Sequence, residues 1–162
     1  MRANRKLAEA LKVLKRVQDK HRGVIESGDL KEVHRAILVG EGFLFPAMKG
    51  WYLCANPRDR EGGSTAWYAG FWSFLSGYLG KRFGKRYCLN VEASLLMHTR
   101  STVVPRQVTV IAREGGTSVL ALPHDTSLLI YPDDKNVPRN RMEVNGLQVL
   151  PLPETLCKLG PQ

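Results

Sequence analysis

Apolar residues recur at helical spacing near the start of the chain, which predicts a helix over residues 4–21. Asn4 is in a position to cap this helix, and Gly23 to end it, since glycine enters the left-handed region cheaply. The predicted inward face consists of four aliphatic side chains, Leu7, Leu11, Leu14 and Val17. The opposite face carries four cations, Lys12, Lys15, Arg16 and Lys20.

The next stretch, Val24 to Leu53, has a different pattern. Ser27 can cap a helical segment, and the spacing then predicts an inward apolar face made of Val33, Ile37 and Leu38. The same spacing turns three polar side chains outward, Lys31, His34 and Arg35. Gly40 and Gly42 are expected to stop this helix.

A hairpin is predicted after the second helix. The run 43–45 is strand-like, Pro46 to Gly50 is expected to turn, and residues 51–53 form the return strand. Helix, helix and small hairpin in this order are typical of a winged helix-turn-helix. We therefore predict such a domain over residues 1–56, with the polar run 56–63 as a linker.

The second half begins with a long aromatic helix capped by Ser64 and changes to strands after Thr102. The rings recur at core spacing, so burial is favoured over a base-stacking surface. Asn90 caps a further helix, and Asn145-Gly146 is a hairpin turn. The predicted fold class is α+β: a winged helix-turn-helix, then a mixed α/β domain with a mostly antiparallel sheet over residues 64–162. The tail begins like a helix and then stops, which is typical of a fragment.

Charge sharpens this picture because it is unevenly placed. The net charge is +9, and residues 1–58 carry 12 lysines and arginines against 6 acidic residues. Residues 101–162 carry 6 of each. A basic region favours a polyanionic partner, because neutralised phosphates release counterions, although a surface tuned for solubility gives the same composition.

Charge and fold together predict a DNA-binding surface. Helix residues that enter the major groove must present polar side chains, and a hairpin tip touches the phosphate backbone. The predicted DNA-binding residues are Lys12, Lys15, Arg16, Lys20, Lys31, His34, Arg35 and Lys49.

Catalytic motifs are not found in the sequence. The three cysteines form no CxxC pair, no HExxH or phosphate-binding loop occurs, and no GxSxG elbow is present. The cluster His124–Ser127 is the most polar part of the strand half, and a loop bonded to its own backbone is favoured there over a ligand site. We expect a non-enzymatic cytoplasmic protein with no cofactor, no metal site and no membrane contact.

Four segments carry a family resemblance: GFLFPAMKGWYL, STAWYAGFWSFLSGYLGKRFG, NVEASLLMHTRSTVVPRQVTV and LALPHDTSLLIY. Together they resemble the N-terminal region of certain bacterial Fic-family proteins, which is similar to AbiEi-type antitoxins. The resemblance implies a winged-helix domain that binds operator DNA and an α/β domain that aids dimerisation or repression. The HPFxxGN motif of Fic transferases is absent, so their AMP-transferase activity is not carried over.

Two functions follow as hypotheses. The first is a transcriptional regulator of the antitoxin type that binds double-stranded operator DNA. The alternative is a regulatory or dimerisation module of a Fic-type AMP transferase, with no DNA role. The corresponding partners are operator DNA, a cognate toxin or C-terminal Fic domain, and a second copy of the chain.

Overall fold

The computed structural model describes residues 2–21, 23–59, 64–113 and 115–159. The chain divides into two compact units, an N-terminal unit, Met1–Phe74, and a C-terminal unit, Leu75–Gln162. Helices and antiparallel-dominated sheets occur together, which confirms the α+β class. The predicted domains, 1–56 and 64–162, remain a prediction, and part of the predicted 56–63 linker lies outside the described residues.

The N-terminal unit begins with two helices and a three-stranded sheet. The elements are α1 (Arg2–His21), β1 (Val24–Glu26), a 3-10 turn (Ser27–Asp29), α2 (Glu32–Gly40), β2 (Leu44–Met48) and β3 (Trp51–Cys54). The sheet order is β1-β3-β2, and both pairings are antiparallel. Strand β1, which lies between α1 and the 3-10 turn in the sequence, is therefore paired with the hairpin.

Local chemistry explains where several of these helices and strands begin and end. Gly23, at φ +84°, turns the chain out of α1, as expected for a residue without a Cβ atom. Asn4 does not cap α1, because the helix already begins at Arg2. Pro46 lies in β2 and not in a turn: β2 is an edge strand, where the missing N–H group of proline is tolerated, and its register shifts between Pro46 and Met48.

The core of the N-terminal unit joins α1, α2 and the sheet. Its buried members are Ala10, Leu14, Ile25, Leu30, Leu38 and Leu44. Full burial of one such aliphatic side chain stabilises the fold by about 1.5–3 kcal/mol. Leu38, which is buried on α2 itself, therefore fixes the rotation of this helix about its axis, and Leu30 joins the same core from the segment before the helix.

The long helix α3 (Ser64–Phe83) begins at Ser64 itself, so Ser64 is its first residue and not its cap. Its aromatic face is buried: Trp67, Phe71 and Phe74 are all inaccessible to solvent. Trp67 and Phe71 meet edge to face, with ring centroids 5.4 Å apart. The prediction that these rings form core rather than a base-stacking surface is confirmed.

The C-terminal unit contains the remaining elements. These are β4 (Tyr87–Leu89), α4 (Val91–His98), β5 (Gln107–Ala112), β6 (Ser118–Leu122), β7 (Thr126–Pro132), β8 (Met142–Val144), β9 (Leu147–Val149) and α5 (Leu152–Leu159). The main sheet has the order β4-β5-β7-β6, and only β5 and β7 run parallel. Strands β8 and β9 form a separate hairpin.

Several sequence predictions for this unit are confirmed. The Asn90 side chain accepts a hydrogen bond from the Ala93 N–H and caps α4. Asn145 and Gly146 both have positive φ and join β8 to β9, as predicted for an Asn-Gly hairpin. Strand β4 was not predicted, because its three buried residues show no alternation.

Candidate nucleic-acid interface

The four cations predicted on α1 are all exposed. Lys12, Lys15, Arg16 and Lys20 lie on the side of the helix away from buried Ala10 and Leu14. The surface is not purely basic, since Arg5 pairs with Glu9 at 3.8 Å in the preceding turns. Exposed pairs of this kind contribute little energy, so α1 keeps a row of available positive charges.

Two further predicted cations, Lys31 and Lys49, are also exposed. Lys31 is the N-terminal cap residue of α2, with an extended backbone. Lys49 lies at the tip of the β2–β3 hairpin, next to Gly50 at φ +85°. Both stand where a phosphate backbone could approach without displacing the core.

His34 and Arg35 do not face outward as predicted. Arg35 is half-buried, and its Nη1 donates to the carbonyl oxygens of Ser27 and Leu30, the second at 2.9 Å. His34 is also half-buried, and its Nδ1 is enclosed with no hydrogen-bond partner among the described residues. The predicted outward orientation was wrong, because buried Leu38 lies four and three positions after these residues and so places them on its own side of α2. Their DNA-binding role stays a prediction.

The outward face of α2 consists instead of exposed Glu32, Val33, Ala36 and Gly40. Val33, which was predicted to face the core, is 62% exposed. On the inward side of α2, His34 and Arg35 lie four and three positions before buried Leu38.

The 3-10 turn links α2 to the hairpin tip. The Ser27 N–H donates to the Gly50 carbonyl oxygen at 2.8 Å. Asp29 accepts from the Glu26 N–H at 2.9 Å and lies 3.7 Å from His21 Nε2. The turn is thus hydrogen-bonded to α2 through Arg35 and to the hairpin through Gly50, so the backbone positions beside Lys31 and Lys49 belong to one hydrogen-bonded cluster.

A groove of about 450 Å³ runs between α2 and the hairpin. Its lining is largely apolar, from Ala36, Val39, Pro46 and Tyr52, with Glu32 and Arg35 at its side. The Arg35 guanidinium is already hydrogen-bonded to two carbonyl groups, so its donors are not directed at a ligand in the groove. This surface is better suited to methyl groups or a protein side chain than to a phosphate.

The groups with reactive chemistry are bound within the fold. Burial raises the pKa of the Cys54 thiol to about 11 and that of Cys88 to about 12, so both are protonated at neutral pH and are poor nucleophiles. His98 Nε2 lies 2.6 Å from the Leu150 carbonyl oxygen, so Nε2 donates its proton to that oxygen. The described residues contain no group of three or more His, Cys, Asp or Glu side chains placed to hold a metal.

The polar cluster after Pro123 is a turn between β6 and β7. His124 and Asp125 have φ of 55° and 58°, and the Thr126 hydroxyl donates to the Pro123 carbonyl oxygen at 2.6 Å. These features agree with the predicted loop bonded to its own backbone.

Comparisons of the chain with family models, with curated proteins and with solved structures found no match. Within the described part of the chain, none of the helices is both long and apolar enough to span a bilayer.

Proposed function

We propose that this chain is a DNA-binding transcriptional regulator of the antitoxin type, with no enzymatic activity of its own. The observation that carries the proposal is the order of elements and strands in the N-terminal unit. Helix α1, β1, the 3-10 turn, α2 and the β2–β3 hairpin follow one another, with the sheet order β1-β3-β2. This order is the one expected of a winged helix-turn-helix, with α2 as the recognition helix and Lys49 at the tip of the wing.

Phosphate contacts supply the affinity in this proposal. Six of the exposed cations of the unit lie on α1, at the start of α2 and at the hairpin tip, and they position the protein without reading sequence. They are Lys12, Lys15, Arg16, Lys20, Lys31 and Lys49. Six phosphate contacts correspond to a slope of about −5 in a plot of log K against log salt concentration.

In this proposal the outward face of α2 contacts the base edges and so recognises the DNA sequence. A carboxylate accepts a hydrogen bond from the cytosine amino group, and small apolar side chains contact the thymine methyl group. Glu32, Val33 and Ala36 supply these two kinds of contact. We therefore expect an operator whose contacted bases are pyrimidines, and a changed base preference for Glu32→Gln.

The test is duplex binding by fluorescence anisotropy, at salt concentrations from about 50 to about 200 mM, where six contacts change affinity by about 10³-fold. Lys49→Ala should weaken binding to every sequence, whereas Lys135→Ala, an exposed cation of the C-terminal unit, should not. Selection from a random library then gives the operator, and a reporter placed behind it measures repression. Absence of duplex binding at about 50 mM salt would contradict the proposal.

A regulatory module for a Fic-type transferase is the second candidate. The apolar groove beside α2 and the exposed Val33 favour it, because the buried centre of a protein interface is more apolar than its rim. It predicts that the wild-type protein binds the transferase domain but no duplex, and that Val33→Lys abolishes binding to the transferase domain. The coding sequence directly downstream discriminates further: a continuous frame with HPFxxGN favours the module, and a separate toxin gene favours the regulator.

A further inference from the structure

We propose that Arg35 is a positioning residue that holds Lys31 and Lys49 in place for contact with DNA. The inference rests on the proposed function, since it concerns how that surface is organised. It also reverses the role that the sequence suggests for Arg35, which is that of a base-reading side chain.

The first step is the contact between Arg35 and the backbone before α2. Its guanidinium donates to the carbonyl oxygens of Ser27 and Leu30. Leu30 is followed at once by Lys31, the cap residue of α2. A planar guanidinium presents several donors in a fixed geometry, so one side chain can hold both carbonyl groups and with them the path of the chain into Lys31.

The second step leads from the same turn to the hairpin. Ser27, whose carbonyl oxygen binds Arg35, donates its own N–H to the Gly50 carbonyl oxygen at 2.8 Å. Gly50 directly follows Lys49 and has φ +85°, a conformation that favours glycine. Removing the guanidinium therefore loosens the residue that anchors the hairpin tip.

The third step excludes a direct role. Arg35 is half-buried and its donors point into the protein, whereas Lys31 and Lys49 are exposed, with no ion pair among the described residues. An Arg35 that touched a phosphate would change the salt slope by about 0.9, the value for one contact. An Arg35 that positions two lysines should change it by about 1.8, although only one charge is removed.

The experiment compares Arg35→Ala with Arg58→Ala, which removes an exposed cation of the same unit. The expected result is a slope smaller by about 1.8 for Arg35→Ala and by at most about 0.9 for Arg58→Ala. Lys49→Ala should reduce affinity by about fivefold in the wild-type background, and by less than about twofold when Arg35 is already alanine. Both bonds are donated by Nη1, so Arg35→Lys, whose ammonium also carries several donors but on a stem of different length and shape, should lie between wild type and Arg35→Ala.

A second readout does not depend on DNA. Hydrogen exchange of the Ser27 amide should become faster in Arg35→Ala, while the amides of Leu14 and Leu38 keep their protection. Unchanged Ser27 exchange would overturn the positioning role, as would an equal cost of Lys49→Ala in both backgrounds. If wild-type protein binds no duplex, the proposed function fails and the DNA role of the lysines with it, but Ser27 exchange still decides whether Arg35 secures the turn.

Discussion

The edge strands of the two sheets differ in how well they are protected against pairing with another strand. In the N-terminal unit, edge strand β2 carries Pro46 and a register shift, and the other edge, β1, is only three residues long and contains Glu26. In the C-terminal unit, edge strand β6 has five uncharged residues without proline, and its register with β7 is continuous. The first sheet is protected against pairing with another strand, and the second has no such protection on β6.

Exposed side chains follow the same division. The N-terminal hairpin ends in Lys49, and α1 carries a row of exposed cations. Beside β6, the exposed side chains are apolar, with Val119 61% and Tyr131 49% accessible. Cations suit a phosphate backbone, and an uncharged strand edge suits another extended chain. The comparison therefore suggests that the N-terminal unit contacts DNA and the C-terminal unit contacts protein.

The largest expected effect tests whether the exposed cations of the N-terminal unit contact DNA. Replacing Lys12, Lys15, Arg16 and Lys20 together by alanine should weaken duplex binding by about 10³-fold at about 0.15 M salt, since each phosphate contact contributes a factor of about five. The matched control removes four exposed cations from the C-terminal unit, Lys81, Lys85, Arg82 and Arg86. Anisotropy titrations compare the two proteins. An equal loss of duplex affinity in both proteins would show that DNA binding depends on the net charge and not on the unit that carries the cations.

The next effect concerns the rotation of α2. Leu38 is fully buried, so Leu38→Ala should lower the free energy of unfolding by about 3 kcal/mol. Val33 is exposed on the same helix, so Val33→Ala should change it by less than about 0.5 kcal/mol. Denaturant unfolding monitored by circular dichroism measures both. A larger cost for Val33→Ala would mean that the outward face was assigned to the wrong side of the helix.

That helix also shows how far sequence reasoning reaches. The pattern in α1 extends over five turns, so its buried and charged faces were found without ambiguity. Helix α2 has nine residues, and a short pattern fits more than one rotation. The spacing of Val33, Ile37 and Leu38 predicts an inward Val33 and an outward Arg35, whereas in the structure Val33 is exposed and Arg35 is half-buried. Tertiary contacts, not periodicity, decide the orientation of an element this short.

Other features depended on contacts between residues distant in sequence. Strand β4 is buried on every residue, so it offered no alternation to detect. Pro46 indicates a turn when read locally, yet it is tolerated in an edge strand. The hydrogen bond between Ser27 and Gly50 joins two turns that are 23 residues apart in the sequence, and no local motif predicts it. The exposed cations could be predicted from the sequence, but the hydrogen bonds that hold them in place could not.

The third prediction tests whether the unprotected edge strand β6 of the C-terminal unit contacts protein. We expect a homodimer in which β6 of the C-terminal unit contacts a second copy of the chain. Val119→Lys should then raise the dissociation constant of the dimer at least about tenfold, because lysine on an edge strand opposes pairing with another strand. Val103→Lys is the matched control, since Val103 is 59% exposed and lies outside the strands of the same unit. Sedimentation velocity over a concentration series measures the change. Association that is equally sensitive to both substitutions would place the contact elsewhere.

The smallest effect contrasts the buried cysteines of the two units. Burial raises the pKa of Cys88 from the ordinary 9.0 to about 12, and that of Cys54 to about 11. Above pH 9 the unfolded thiols lose their protons while the folded ones keep them, so unfolding is favoured increasingly as the pH rises toward the folded pKa. For Cys88 the limit is about 1.4 kcal/mol per pH unit. Cys88→Ala should flatten the pH dependence of unfolding above pH 9, whereas Cys157→Ala, at an exposed position, should not. If the free energy of unfolding of Cys88→Ala still falls steeply above pH 9, groups other than Cys88 cause the alkaline instability.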